Sequence, residues 1–469
     1  MFKCSFIEAV IWSKAQQIVV EEDVDVVSAK VAIDNSGNIV VVWKESDDSN
    51  NGSIKGGVLN VNSKGISFKE EPTLISKTGE LATSLTSLDL SMNGSGKAVA
   101  VWLGLDNIVQ TSTLITSDSP PTWSTPISLS IISASTSAFA PQVAVDDEGN
   151  TLVIWLTSSF NNNTVEVVSQ IGNEKKWSNR VTISQQQEFI PSAQIAVNGG
   201  IGAAVWVKDP IIEGAIAQIS SENSFNWNKP VGLSNPSGVS LDPQVAISSS
   251  GRAVAIWRFV DVFSNYSYSI QCINNSESKR EEWDLADDAV ETLTNVTPED
   301  SQYEGFQYVA AAKGKSNLAF AYWSNGKDGQ FSESISQETP WTLVGEFDAN
   351  TFFLDATIFE EIPQVIWLQG YLLANSSILV GYPDLQTTPP TLKVSKLSSD
   401  NADVISTQIP MIASNNDEKG IIVAIWLENI VLKDESVQIL MAATGSNGFE
   451  TSKMLMYWGV DEPFQSDLP

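Results

Sequence analysis

The residues able to do chemistry are few and unevenly distributed. The 469-residue chain has no histidine, two cysteines and four arginines (Arg180, Arg252, Arg258 and Arg280), against 56 acidic residues. Without histidine the commonest general base and the commonest metal ligand are both missing. A Ser-His-Asp triad, a Cys-His pair and an ordinary zinc site are thereby excluded. Cys4 and Cys272 fit no metal or redox spacing and leave room for one bridge, whose geometry a sequence does not test. Glycoside hydrolysis by a carboxylate pair needs only two acids at a fixed separation. Among 56 acids some pair always lies close, and none stands out inside an otherwise apolar strand at an inner edge. Asp34 and Asp146, in "DNSGN" and "DDEGN", invite a calcium loop. Such a loop wants six to eight oxygens from alternating acids, and these stretches supply too few, so a hairpin turn is the better assignment.

A second set of residues suits recognition. Asp47, Asp106, Asp209, Asp261 and Asp328, with Asp48 and Glu428, each follow a tryptophan by a few residues. "FVDVFSNYSYS" adds Tyr266 and Tyr268, and "LQGYLLANSS" adds Tyr371. Acidic loops attract and steer a basic surface, and exposed tyrosines anchor protein or glycan contacts. The competing readings are ordinary solubilising turns for the acids and an edge strand for the Tyr-Ser alternation.

The elements that must carry these residues are repeats. "VAIDNSGNIVVVW" ends at Trp43 and "VAVDDEGNTLVIW" at Trp155, and the same pattern ends at Trp102, Trp206, Trp257, Trp323, Trp367 and Trp426. The tryptophans are 44 to 66 residues apart, a period that signals a repeat architecture. In each copy an apolar run, a polar turn and a β-rich run spell a hairpin. Gly37, Gly149 and Gly251 sit where a tight turn needs positive φ. A third run follows each first-series Trp. A fourth accompanies a second aromatic series of Trp12, Trp123, Trp177, Trp227, Trp283 and Trp341, with Phe68 and Phe449 standing in elsewhere. The first series should pack between repeats, and the second should lie at the outer edge.

Four short strands per unit predict an all-β fold, a β-propeller of four-stranded antiparallel blades. The direct count is eight blades. Seven is the alternative, because the copy ending at Trp367 lacks the Asp/Gly turn. A single domain over 1–469 is expected, with residues 1–20 as a strand completing the last blade and 445–469 as a C-terminal strand or tail. An N-terminal strand in that place closes the ring and hides an open edge.

The repeats resemble the divergent propeller repeats of exported bacterial proteins, of the form PQVAVDxxGNxxVxW, which are loosely grouped with sialidase-like propellers. The resemblance covers nearly the whole chain and implies fold rather than activity. A sialidase Asp-box has its Trp three residues after Gly, whereas Trp155 lies six after Gly149. Quinoprotein docking repeats share Ala144 and Asp146 but space Gly and Trp differently. A sialidase-like hydrolase would also need three arginines from separate blades, and the four here fall in consecutive repeats.

Net charge is −30 with a pI near 4.2. Such a surface repels nucleic acid and anionic lipid, and no run of 18 apolar residues would insert in a membrane. The functional expectation is a non-enzymatic recognition propeller for a basic protein surface or a glycan, acting through an acidic, aromatic-bearing loop face without cofactor or metal. A carbohydrate-active hydrolase with a carboxylate pair at the channel mouth is the alternative, and a structural or surface component the third reading. The Asn, Ser and Thr content fits an exported or cell-surface protein, although the first residues lack the features of a signal peptide.

Overall fold

The two near-identical stretches are the same hairpin in different sheets. Val31 pairs with Val41, and Val143 with Val153, both antiparallel. Their connecting glycines, Gly37 and Gly149, have φ of 80° and 84°, so a Cβ there would be strained. In the hairpin of Ala193–Asn198 and Ile201–Lys208, Asn198 pairs with Ile201. Gly199 and Gly200, at φ 55° and 72°, form the tight primed turn that suits strand twist. In the copy ending at Trp367, Phe359 pairs with Ile362. The strand pairing of this hairpin is therefore kept although the Asp/Gly turn is lost.

The computed structural model describes residues 10–446 except for short segments. These include 20–23, 48–51, 77–87, 105–106, 262–266, 276–281, 297–305, 312–318, 325–328 and 370–375. The described strands form eight antiparallel sheets, and the protein is an all-β propeller of four-stranded blades. The sheets are numbered here by their inner strands. These are Val24–Ile33, Leu88–Met92, Ser137–Val145, Ala193–Asn198, Val239–Ile247, Phe306–Ala311, Thr351–Phe359 and Met411–Ser414. Each inner strand packs on the next around an axis, and Met411–Ser414 packs on both Thr351–Phe359 and Val24–Ile33.

Each second strand is a continuous apolar run, because it is covered on both faces by neighbouring sheets. Its Trp lies in a cluster shared with the preceding sheet: Trp206 packs with Ile154 and Val165 of sheet 3, and Trp43 with Ile425 and Leu440 of sheet 8. Burying side chains of this size contributes about 1.5–3 kcal/mol each. The second aromatic series lies outside the first. Trp123, Trp177 and Trp227 are half-buried and Trp283 is buried, while Phe449 falls outside the described residues. Fourth strands are short, and a serine fastens several of them. Ser76, Ser130, Ser184, Ser234 and Ser398 accept the backbone N–H of Ile54, Val109, Val165, Ile212 and Ile378 at 2.8–3.0 Å.

The N-terminal segment joins sheet 8. Ile11 and Trp12 pair with Ser446 and Gly445, and Gln16 and Gln17 with Ala442 and Met441. Trp12 packs in the cluster between sheets 7 and 8, where the other sheets place their own second-series Trp. The segment "FETSKMLMY" lies outside the described residues. Cys272 is a buried free thiol whose pKa is raised well above the ordinary value, first by burial and then by the charge of Glu291. Cys4 lies outside the described residues.

Candidate binding site

Polar side chains occupy four places in the repeat, and the structure gives each a different role. The first is the hairpin turn. Asp34 accepts Asn38 N–H at 2.8 Å and Asn38 Nδ2 at 2.7 Å, and Asp146 does the same for Asn150 at 2.7 and 2.8 Å. Asn93, Ser248 and Asn415 cap their turns in the same way, bonding Lys97, Arg252 and Ile421 N–H. These residues also reach the next sheet. Asp146 Oδ2 accepts Gly200 N–H at 3.1 Å, Thr116 Oγ1 donates to Asp34 at 2.6 Å, and Asn415 Nδ2 donates to Asp34 O at 3.2 Å. Lys97 is buried, with Nζ on the carbonyls of Gly149 and Gly172, both at 2.7 Å. Burial pushes its pKa down to about 8, opposed by the charge of Asp146. The turn carboxylates are thus filled by protein donors. Among the described residues no group of three or more His, Cys, Asp or Glu could hold a metal ion.

The second place lies under the first-series Trp. Trp102, Trp206 and Trp257 donate their indole N–H to Gln110, Glu213 and Gln271 at 2.9, 3.3 and 3.2 Å. Each acceptor is the register partner of its Trp on the third strand. Where that partner is lysine or methionine, at Lys55 and Met441, an acid two residues after the Trp substitutes. Trp43 donates to Glu45 at 2.6 Å and Trp426 to Glu428 at 2.7 Å. Glu45, Glu166 and Glu213 also hold Lys55, Arg180 and Lys208. A buried carboxylate requires such partners. Glu428, expected in an exposed loop, is therefore corrected to a buried acid within Ile421–Leu432. Its role was readable in its spacing from Trp426.

The third place is the loop face, where second strands end and chains cross between sheets. Asp47 ends Ile39–Asp47, Asp261 ends Ala253–Asp261, and Asp209 follows Ile201–Lys208. The antiparallel order brings these three ends out on one face. Asp209 is exposed and Asp261 half-buried. Tyr268 lies in Ser267–Asn274, with its backbone paired to Val260 and Val296. Asp48, Asp106, Tyr266, Asp328 and Tyr371 lie outside the described residues.

The fourth place was missed in the sequence. In each of the eight sheets, one inner-strand residue stands opposite the residue preceding the first-series Trp. These are Lys30, Asp89, Gln142, Gln194, Gln244, Tyr308, Asp355 and Met411. Together they form a belt around the axis. Lys30, Asp89 and the three glutamines are half-buried, while their sequence neighbours Val31, Leu90, Val143 and Ile195 are buried. Lys30 Nζ lies 3.8 Å from Asp89 Oδ1 and 4.0 Å from Met411 Sδ. Burial raises the Asp89 pKa and the Lys30 charge opposes it. Asp89 lies between Leu88 and Leu90 and Asp355 between Leu354 and Ala356, so two inner strands carry an acid flanked on both sides by apolar residues, where no acid was expected to stand out. The signal was the recurring "QVAV", "QIAV" and "QVAI", each with Gln 12 or 13 residues before its Trp.

Neither a protein-family model nor a curated protein matches the chain. Among solved structures it is similar to a protein of unknown function from Dyadobacter fermentans, at 11% identity over 93% of this chain and 99% of that one, with a TM-score of 0.43. It is similar at 9% identity to a leech intramolecular trans-sialidase, over 92% and 93% of the two chains, with a TM-score of 0.40. An ulvan lyase, a polysaccharide lyase, is similar at 8% identity over 84% and 97%, with a TM-score of 0.42.

Proposed function

We propose that this protein is a non-enzymatic recognition propeller that binds a basic protein surface or a glycan through its loop face. The observation that carries the reading is the common face shared by the strand ends at Asp47, Asp209 and Asp261, with Asp209 exposed. Acids gathered on one face attract a basic partner and steer its approach, and a net charge of −30 extends their reach. Support against a hydrolase comes from the inner acids. Asp89 and Asp355 each accept the backbone N–H of the neighbouring inner strand, at 2.9 Å, so both are held in fixed structural bonds.

The same proposal takes the ring to have eight blades, with the N-terminal strand completing the last. Eight sheets, the packing of Met411–Ser414 on Val24–Ile33 and the place of Trp12 support it. Deleting residues 1–19 should then expose the outer edge of sheet 8 and promote self-association, read by light scattering.

The binding reading is tested with labelled protein on a glycan array and on a panel of Lys/Arg-rich peptides at low and high salt. Binding lost in Asp209→Asn combined with Tyr266→Ala and Tyr268→Ala is the expected result, with salt sensitivity if the partner is basic. Blank glycan and peptide panels would sink it. Turnover of a bound glycan would favour the hydrolase instead.

A further inference from the structure

The axial wall has hydrogen-bonding groups that the turns and the tryptophan partners do not use. Each inner strand is bonded to its second strand along one edge, so its other edge turns backbone groups toward the axis. An aspartate in the belt closes that gap. Asp89 accepts Val143 N–H from the next sheet and Asp355 accepts Ile412 N–H, each at 2.9 Å. Val143 stands opposite Val153, two residues before Trp155. Ile195 and Val245 occupy the same place in sheets 4 and 5, opposite Ala204 and Ala255. There the preceding sheet supplies Gln142 or Gln194 in place of aspartate. The side-chain amides of Gln142, Gln194 and Gln244 bond no other described residue, and the N–H groups of Ile195 and Val245 meet no described side chain.

We propose that this arc of the wall is a binding site for a small, neutral, polyhydroxylated molecule, a saccharide of one or two units. An amide donates and accepts at one end of a short side chain, which matches a sugar hydroxyl that does both. Two residues further along each strand come Ala144, Ala196 and Ala246, half-buried small side chains that pack on the clusters between sheets and whose remaining apolar surface suits ring C–H groups. An anionic ligand fits poorly. The net charge of −30 opposes it, and Lys30, the cation of the belt, already faces Asp89 at 3.8 Å. The site is on the axis and does not depend on the loop face binding a partner.

Saturation-transfer NMR on the full chain tests it, with methyl α-glucoside, methyl α-mannoside, methyl β-galactoside and maltose as probes and glucuronate as the charged comparator. Transfer from at least one neutral probe is expected. It should weaken about tenfold or more in Gln194→Leu, the loss of one hydrogen-bonding partner, and persist in Tyr266→Ala with Tyr268→Ala. The same probe should fail entirely with Gln142, Gln194 and Gln244 all changed to leucine; if that variant does not fold by circular dichroism, the single variant decides. No transfer from any neutral probe would overturn the proposal. So would binding unchanged in Gln194→Leu, or glucuronate bound more tightly than its neutral counterparts. Loss only in the tyrosine variant would move binding to the loop face, overturning the axial site while leaving the loop-face reading intact.

Discussion

The hairpin turns and the axial wall of sheets 3 to 5 are built from similar short polar side chains, yet they differ in what those side chains touch. At the turns, Asp146 meets Asn150 twice and Gly200 once, and Asn415 reaches Asp34 of the next sheet. On the axial wall, the amides of Gln142, Gln194 and Gln244 meet no described partner. A polar group whose bonds are filled by the protein holds the ring together. One left half-buried without a protein partner can bond solvent instead and adds little to stability.

That contrast makes predictions of graded size, each read as a change in unfolding free energy. Asp146→Ala should cost most, about 3 kcal/mol, because it strips a charged acceptor from three donors; denaturant melts check it, and a loss below that of an ordinary surface substitution would remove the distinction between the regions. Lys97→Met should cost about 1–3 kcal/mol by orphaning two buried carbonyls. Its pH dependence sharpens the point. With a pKa of about 8 in the folded protein and about 10.4 when unfolded, Lys97 holds its proton in the unfolded chain after the folded one has lost it. The wild type should therefore gain stability between those two values as pH rises, and Lys97→Met should lack that gain. Paired melts at the two ends of the window read the difference.

Gly149→Ala should cost about 1 kcal/mol, the penalty for a Cβ at φ of 84°. Gln194→Leu should change stability by less than about 0.5 kcal/mol, since no protein bond is lost. A larger loss in the last variant would show that the glutamine is structural after all. These two substitutions lie in adjoining sheets, so chemical denaturation of the single and double variants also tests whether the regions act independently.

Much of this was legible in the sequence for a simple reason. A repeat prints the same local physics many times, so the Trp spacing, the Gly37 and Gly149 turns and the apolar second strands identify four-stranded units without any knowledge of packing. Trp burial and the turn role of Asp34 and Asp146 follow from the same local rules. Which acids go inside does not. Glu45, Glu166, Glu213 and Glu428 read as surface residues until strand register sets them under a tryptophan or beside a lysine or arginine. The glutamines of the "QVAV" runs read as the polar half of an alternating strand. Only assembly of the sheets around an axis decides that their outward side is a shared wall. Local alternation fixes which side of a strand a residue occupies; whether that side meets solvent, a neighbouring sheet or a channel depends on contacts between residues more than fifty positions apart.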